Sequence, residues 1–87
     1  MRREADFFRE QELDLVYMAR TLRDSLKLED ILTEAGIDYL VETGSYTAGL
    51  LMKRELTGAF FYVSPENCNY VKEILLRNRY KPYVEDK

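Results

Sequence analysis

Hydrophobic positions along the chain follow two different spacings, which predicts that helices and strands alternate. Between residues 28 and 35 the apolar residues show the i, i+3, i+4, i+7 spacing of one helical face, with Leu28, Ile31, Leu32 and Ala35. From residue 37 the apolar and polar positions instead alternate, with Ile37, Tyr39 and Val41 on one side of a strand and Asp38, Leu40 and Glu42 on the other. Gly36 lies between the two patterns, where a helix needs a left-handed residue to close its last turn.

The same analysis over the whole chain predicts four strands and two helices. The predicted order is a strand at 13–20, a helix beginning between 22 and 26 and ending at Gly36, strands at 37–43 and 59–63, a helix after Ser64-Pro65-Glu66, and a strand at 81–85. This β-α-β-β-α-β order is typical of the split βαβ, ferredoxin-like sandwich. We therefore expect an α+β domain at 13–87, with both helices on one face of a four-stranded antiparallel sheet and the other face open.

Local signals at the element ends support these boundaries. Thr21 and Asp24 have the spacing of a capping box at the start of the first helix. Ser64 followed by Pro65 predicts a helix start, with serine as the cap and proline in the first helical position. Pro82 cannot donate a ladder hydrogen bond, which restricts the last strand to a sheet edge.

Residues 1–12 form a charged segment that carries one apolar pair, Phe7 and Phe8. It is open whether this segment is a short helix, a lead-in held by few contacts, as chain ends often are, or an arm. In the last case the two phenylalanines dock on this subunit or on a neighbour.

Length, charge and cysteine content narrow the class of protein. Eighty-seven residues are enough for one domain only. A net charge of −3 opposes nucleic-acid binding, because such binding depends on neutralising phosphates. One cysteine excludes an internal disulfide, and small secreted domains tend to be disulfide-rich. With no apolar stretch of about 18 residues, we expect no membrane association and a cytoplasmic location.

The side chains needed for catalysis are scarce in this sequence. It contains no histidine, which is the commonest general base at neutral pH. Cys68 has no histidine to activate it, and Glu66 nearby makes its surroundings acidic, so a structural thiol is expected. The carboxylates show no metal-ligand spacing. We therefore expect no enzymatic activity, no catalytic residues, no metal site and no cofactor.

The open sheet face is the first candidate functional surface. In the first two strands, charged residues flank apolar ones on this face, so that Val16, Met18 and Leu40 form an apolar centre. The third strand adds either Phe61 and Val63 or Phe60 and Tyr62. An apolar centre with a charged rim is typical of a protein–protein contact. We expect an interface at Val16, Met18, Leu40 and Phe61, most simply in a homodimer, unless residues 1–12 or 84–87 fold over the face.

Residues 44–58 are the second candidate, since they are predicted to form a long irregular connection. Hydroxyl and basic side chains offer a binding site for a small molecule, with Ser45, Tyr46, Lys53 and Arg54 as candidate contacts. A connection without a function would have the same composition. Both interpretations stay open at this point.

Two junctions resemble those of a small bacterial family of unknown function, labelled as prokaryotic signal-transducing proteins. The resemblance is carried by residues 32–37, LTEAGI, and residues 63–66, VSPE, and it covers roughly residues 13–76. It implies an α+β fold and a regulatory or binding role, without catalytic residues. We expect a non-enzymatic domain that binds another protein or a second copy of itself. The alternative is a small-molecule sensor, similar in architecture to ACT or PII-like domains, with its ligand at residues 44–58.

Overall fold

The computed structural model describes residues 1–48 and 54–83, apart from the side chains of 46–48 and 54–56, and has an α+β architecture. In chain order its main elements are β1 (Asp14–Ala19), α1 (Leu22–Glu34), β2 (Tyr39–Ala48), β3 (Arg54–Val63) and α2 (Cys68–Arg77). Short 3₁₀ turns at Ala5–Phe8 and Pro65–Asn67 precede β1 and α2. No helix in the described part of the chain is both long enough and apolar enough to span a membrane.

The three strands form one antiparallel sheet in the order β1-β3-β2. β3 lies in the centre because its aromatic and β-branched residues suit a strand with neighbours on both sides. The predicted strand at 59–63 is thus correct but too short, since β3 begins at Arg54 and pairs along its whole length with β2. The pairing of β1 with β3 is interrupted by one irregularity, between Leu15 and Tyr17.

One apolar core joins both helices to a single face of the sheet. Its helix residues are Leu28 and Leu32 of α1 and Val71, Ile74 and Leu75 of α2. The sheet contributes Val16, Ala19, Tyr39, Val41, Phe61 and Val63, and Ile37 completes the cluster. The core spacing expected from the sequence is confirmed in both helices, because these five residues are buried. Ile31 and Ala35, which belong to the same predicted face of the first helix, are partly buried and pack against the cluster.

The caps of α1 are those predicted. The Thr21 hydroxyl oxygen accepts a hydrogen bond from the backbone N–H of Asp24 at 3.1 Å, which satisfies one of the free donors of the first turn. Gly36 has φ = +76° and ends the helix. The N–H of Gly36 donates to Thr33 and that of Ile37 to Leu32, which is the Schellman arrangement.

α2 begins and ends differently from the prediction. Ser64 makes no side-chain capping bond, and its hydroxyl donates to Oε1 of Gln11 at 3.0 Å instead. Pro65 opens a 3₁₀ turn that leads into the helix. At the other end Arg79 adopts φ = +65°, with its N–H bonded to Leu76 and that of Tyr80 to Leu75. α2 therefore ends in the same motif as α1, but with arginine in the position that favours glycine.

The predicted strand at 81–85 lies only partly within the described chain. Residues 81–83 are not in a strand, although the N–H of Tyr83 donates to the carbonyl oxygen of Val16 at 2.7 Å. Residues 84 and 85 lie outside the described residues. The described residues thus contain three strands, and Tyr83 lies alongside β1.

The N-terminal arm, residues 1–12, is attached to the domain. Its backbone bonds the outer edge of β2, where the N–H of Tyr39 donates to Met1 at 3.1 Å and the N–H of Arg3 donates to Tyr39 at 2.7 Å. Nε of Arg3 also donates to Oδ1 of Asp38 at 2.8 Å. Phe8 is 7% exposed, whereas Phe7 is 50% exposed. Phe8 therefore docks on this subunit, which is one of the alternatives that the sequence left open, whereas Phe7 does not.

Candidate interaction surface

The face of the sheet opposite the helices carries two cross-strand rows of side chains. The register aligns Leu15 with Tyr62 and Leu40 in one row, and Met18 with Phe60 and Glu42 in the next. These residues alternate with the buried helix-facing positions, so they face the other way. Leu15, Met18, Phe60 and Tyr62 are half-buried, and Glu42 is exposed. The structure therefore selects Phe60 and Tyr62 as the contribution of β3 to this face.

Two of the four predicted interface residues belong to the core instead. Val16 and Phe61 are both 0% exposed and lie in the cluster beneath the helices. The irregularity between Leu15 and Tyr17 inserts one extra residue into β1, which turns Val16 toward the helices and reverses the alternation after it. Phe61 pairs with Tyr17 and Val41 and shares their helix-facing side. Placing Val16 and Phe61 in an open-face interface was wrong.

Leu40 has the predicted orientation but is nearly covered, with 9% of its surface exposed. Leu40 and Phe8 are the two buried apolar residues that lie outside the core cluster. The arm leaves the edge of β2 at Arg3 and reaches β1, on the opposite edge of the sheet, by residue 14. On the way Gln11 accepts the hydrogen bond from Ser64, just beyond β3. This path, together with the burial of Phe8 and Leu40 outside the core cluster, indicates that the arm covers the Leu40 end of the face.

The remaining part of the face has apolar side chains at its centre and charged residues at its rim, with Glu42 beside Phe60 and with Arg20 and Lys81 near Met18. Gly44 leaves room for the ring of Phe60, whose Cε2 lies 3.1 Å from the point where a β carbon on residue 44 would stand. Burial raises the pKa of the Tyr62 phenol, and the nearby carboxylate of Glu42 raises it further. Tyr62 therefore stays neutral at physiological pH, in the row next to that of Met18 and Phe60.

The predicted irregular connection at residues 44–58 is largely a β-hairpin, so its interpretation as a loop was wrong. Residues 44–48 pair in continuous register with residues 54–58. Ser45 is an exposed residue of β2. Tyr46 also lies in β2, and Arg54 is the first residue of β3. Lys53 lies outside the described residues. The sequence suggested a loop because glycine and hydroxyl residues are common in turns. In the structure, cross-strand pairing decides the conformation of this segment instead.

Cys68 opens α2 next to Asp14 and Lys72, in a cavity of about 420 Å³. Burial raises the pKa of its thiol; Lys72 acts in the opposite sense and Asp14 adds to the rise. A thiol in this state is a poor nucleophile at neutral pH. Across residues 1–48 and 54–83 no three or more histidine, cysteine, aspartate or glutamate side chains come together as a possible metal site.

Sequence analysis missed a second apolar surface, on the helix side of the sheet. Leu22 and Leu26 of α1 are 75% and 53% exposed. With Val41 and Thr43 of β2 they line a groove of about 340 Å³. Both pairs have i, i+4 spacing, but Leu22 and Leu26 precede Leu28 and Leu32 by six residues each. At about 3.6 residues per turn this offset puts the two pairs on different sides of α1, and that difference was the available signal.

Comparisons with protein-family models, with curated proteins and with solved structures found no match to this chain.

Proposed function

We propose that this protein is a non-enzymatic binding domain that contacts another protein through the open face of its sheet. The observation that carries the proposal is the row formed by Met18 and Phe60, next to Tyr62, on a face without a helix. Aromatic and methionine side chains are enriched at protein–protein contacts, and charged residues at the rim, such as Glu42, favour a partner of complementary charge.

The position of the arm favours a small contact over a large one. With the arm across the Leu40 end, the part of the face that the described residues leave uncovered is essentially one cross-strand row and Tyr62. Stable homodimers use large apolar interfaces, whereas transient regulatory contacts are smaller. For this reason we assign the open face to a different protein rather than to a second copy, which was the sequence-based expectation. The family resemblance at residues 32–37 and 63–66 supports a regulatory role. The single cysteine supports the proposed cytoplasmic location, because small secreted domains tend to be disulfide-rich.

A non-enzymatic role is consistent with the side chains of this chain. It has no histidine. The thiol of Cys68 is partly buried, and this burial raises its pKa. These features remove the two groups that most often act as base or nucleophile at neutral pH.

We further propose that the complete fold is ferredoxin-like, with residues 81–85 as a fourth strand next to β1. Two observations support it: the order β1-β3-β2, and the hydrogen bond from Tyr83 to Val16 on the side of β1 that does not pair with β3. Such a strand would be an edge strand, which is where Pro82 is tolerated.

Site-specific photo-crosslinking tests the proposed contact. A benzophenone amino acid replaces Tyr62 on the open face, and in a second protein it replaces Leu76, which is 63% exposed on α2. In extract of the native cells we expect a discrete adduct from position 62 only. The substitution Met18→Asp should abolish that adduct while leaving the circular dichroism spectrum unchanged. Equal labelling from both positions, or no adduct from position 62, would refute the assignment of this face.

A further inference from the structure

The outer edge of β2 is a regular strand edge without a neighbouring strand in the described part of the chain. At its start the N–H and the C=O of Tyr39 both point outward, where they bond Met1 and Arg3 of the arm. Hydrogen-bonding directions alternate along a strand. The backbone groups of Val41, Thr43, Ser45 and Thr47 therefore also point outward. Beyond Arg3, the arm makes no backbone hydrogen bond to this stretch of β2 within the described residues.

This edge lacks the features that usually prevent strands from pairing between molecules. Protected edges are short, bulged, or carry lysine or proline. β2 is ten residues long, pairs with β3 without a register shift, and has the sequence YLVETGSYTA, in which Glu42 is the one charged residue. β1, by comparison, is six residues long and irregular.

The hairpin also extends beyond the rest of the sheet. The pairing of β1 with β3 ends at Ala19 and Ala59, so residues 44–48 and 54–58 form a ribbon of two strands. A ribbon of two strands is only marginally stable in water, and additional strands stabilise it. The exposed side chains of Leu22 and Leu26 lie beside this region, in the groove that they share with Val41 and Thr43.

We propose that two copies of this chain form a dimer by antiparallel pairing of their β2 edges, about a twofold axis at Gly44. In this register Thr43 of one copy stands opposite Ser45 of the other, and Val41 stands opposite Thr47. All four outward-facing residues of each copy then take part, which gives about eight hydrogen bonds between the copies. The arm blocks Tyr39 and thereby sets the limit of the pairing.

Charge and symmetry agree with this register. Glu42 stands opposite residue 46 of the second copy rather than opposite another Glu42, so that like charges do not face each other. A twofold contact uses the same surface on both copies, and the β2 edge is self-complementary in this sense. The two sheets join into one, both helix layers lie on the same side, and Leu22 and Leu26 of each copy come close to the axis. The proposal does not depend on the function assigned to the open face.

A pair of proline variants tests the pairing. Ser45 and Thr57 are cross-strand partners within the hairpin. Each points its N–H away from the other, by the same alternation, so neither Ser45→Pro nor Thr57→Pro removes a hydrogen bond between β2 and β3. Proline is tolerated at such edge positions. In analytical ultracentrifugation we expect the unmodified chain and Thr57→Pro to sediment with twice the 10.3 kDa of one chain. Ser45→Pro should sediment as a monomer, with dimerisation weakened by about a hundredfold or more.

Circular dichroism of each variant verifies that it is folded. If a proline variant unfolds, the double variant Thr43→Lys/Ser45→Lys replaces Ser45→Pro, and Thr57→Lys is its control, because lysine blocks edge pairing without constraining the backbone. Three outcomes would overturn the proposal: an unmodified chain that stays monomeric up to high micromolar concentration, a dimer that survives the changes in β2, or a dimer lost through the changes at Thr57. The crosslink from position 62 should persist in Ser45→Pro, which separates this result from a failure of the open-face contact.

Discussion

Phe60 and Gly44 are packed against each other on the open face of the sheet, although they are not direct cross-strand partners. Phe60 pairs with Glu42, and its ring lies along the strand toward Gly44, where Cε2 is 3.1 Å from the position of an added β carbon. The absence of a side chain at residue 44 therefore permits the orientation of the aromatic ring at the centre of the proposed contact surface.

Enlarging residue 44 should destabilise the protein through this contact. Gly44→Val places two methyl groups against Phe60, and we expect the free energy of unfolding to fall by about 1–3 kcal/mol, as for other overpacked sites. Urea denaturation measures the change. In a Phe60→Ala background the same substitution should have little cost or even be stabilising, since valine favours strands. An equal loss in both backgrounds would show that the contact with Phe60 is not the cause.

The two phenylalanines of the arm should differ in their contribution to stability. Phe8 is 7% exposed, so we expect Phe8→Ala to lower the free energy of unfolding by about 3 kcal/mol, the low end for a buried aromatic side chain. Phe7 is 50% exposed and lies 4.5 Å from the guanidinium of Arg3, so Phe7→Ala should cost less than about 1 kcal/mol. Thermal or urea unfolding of both variants tests this difference. Similar small losses would mean that the arm is not docked in solution.

Substitutions at the C-terminal ends of the two helices should change stability in opposite directions. Gly36→Ala forces a β carbon into a left-handed conformation at φ = +76°, and with no atom within 4 Å of that carbon its cost of about 1 kcal/mol comes from the backbone. Arg79→Gly relieves the same strain at φ = +65° and should stabilise the protein by up to about 1 kcal/mol. Chemical denaturation of the two variants is the measurement. A loss of stability in Arg79→Gly would contradict the proposed strain at that position.

Tyr39 should make stability depend on alkaline pH. Its hydroxyl lies 3.3 Å from both Thr33 Oγ1 and the carbonyl oxygen of Glu29. Burial raises the pKa of the phenol most; the hydrogen bond with Thr33 lowers it, and Glu29 raises it. The folded state thus retains this proton to higher pH than the unfolded chain. The resulting stability is complete below about pH 10, the ordinary tyrosine pKa, and is lost as pH rises through the folded pKa.

Urea midpoints measured from neutral to alkaline pH test this linkage. Tyr39→Phe should be less stable by about 1 kcal/mol at neutral pH because it loses hydrogen bonds. Above about pH 10 its stability should fall less steeply than that of the unmodified chain, since the titrating group is absent. Parallel curves for the two proteins would show that Tyr39 does not contribute to the alkaline loss.

Features that depend on neighbouring residues were predictable from the sequence. The cap at Thr21, the left-handed Gly36 and the buried stripe of Val71, Ile74 and Leu75 all follow from propensities and spacings within one or two turns. The α+β class and the first five elements of the predicted order also follow from such signals. The use of Arg79 where glycine is favoured could not be predicted in this way, because arginine has no left-handed preference.

The candidate surface was decided by contacts between residues that lie far apart in the sequence. One extra residue in β1, set by its pairing with β3, moved Val16 into the core and left Met18 on the open face. Cross-strand pairing placed residues 44–48 and 54–58 in strands, where the glycines and hydroxyl residues had suggested a loop. The backbone of Arg3 bonded Tyr39 and led the arm across the Leu40 end. By itself the sequence determined where helices begin, end and bury their apolar stripes, since those interactions are local. Only the tertiary structure decided which strand residues face outward, because side-chain alternation has a period of two and a single inserted residue reverses it.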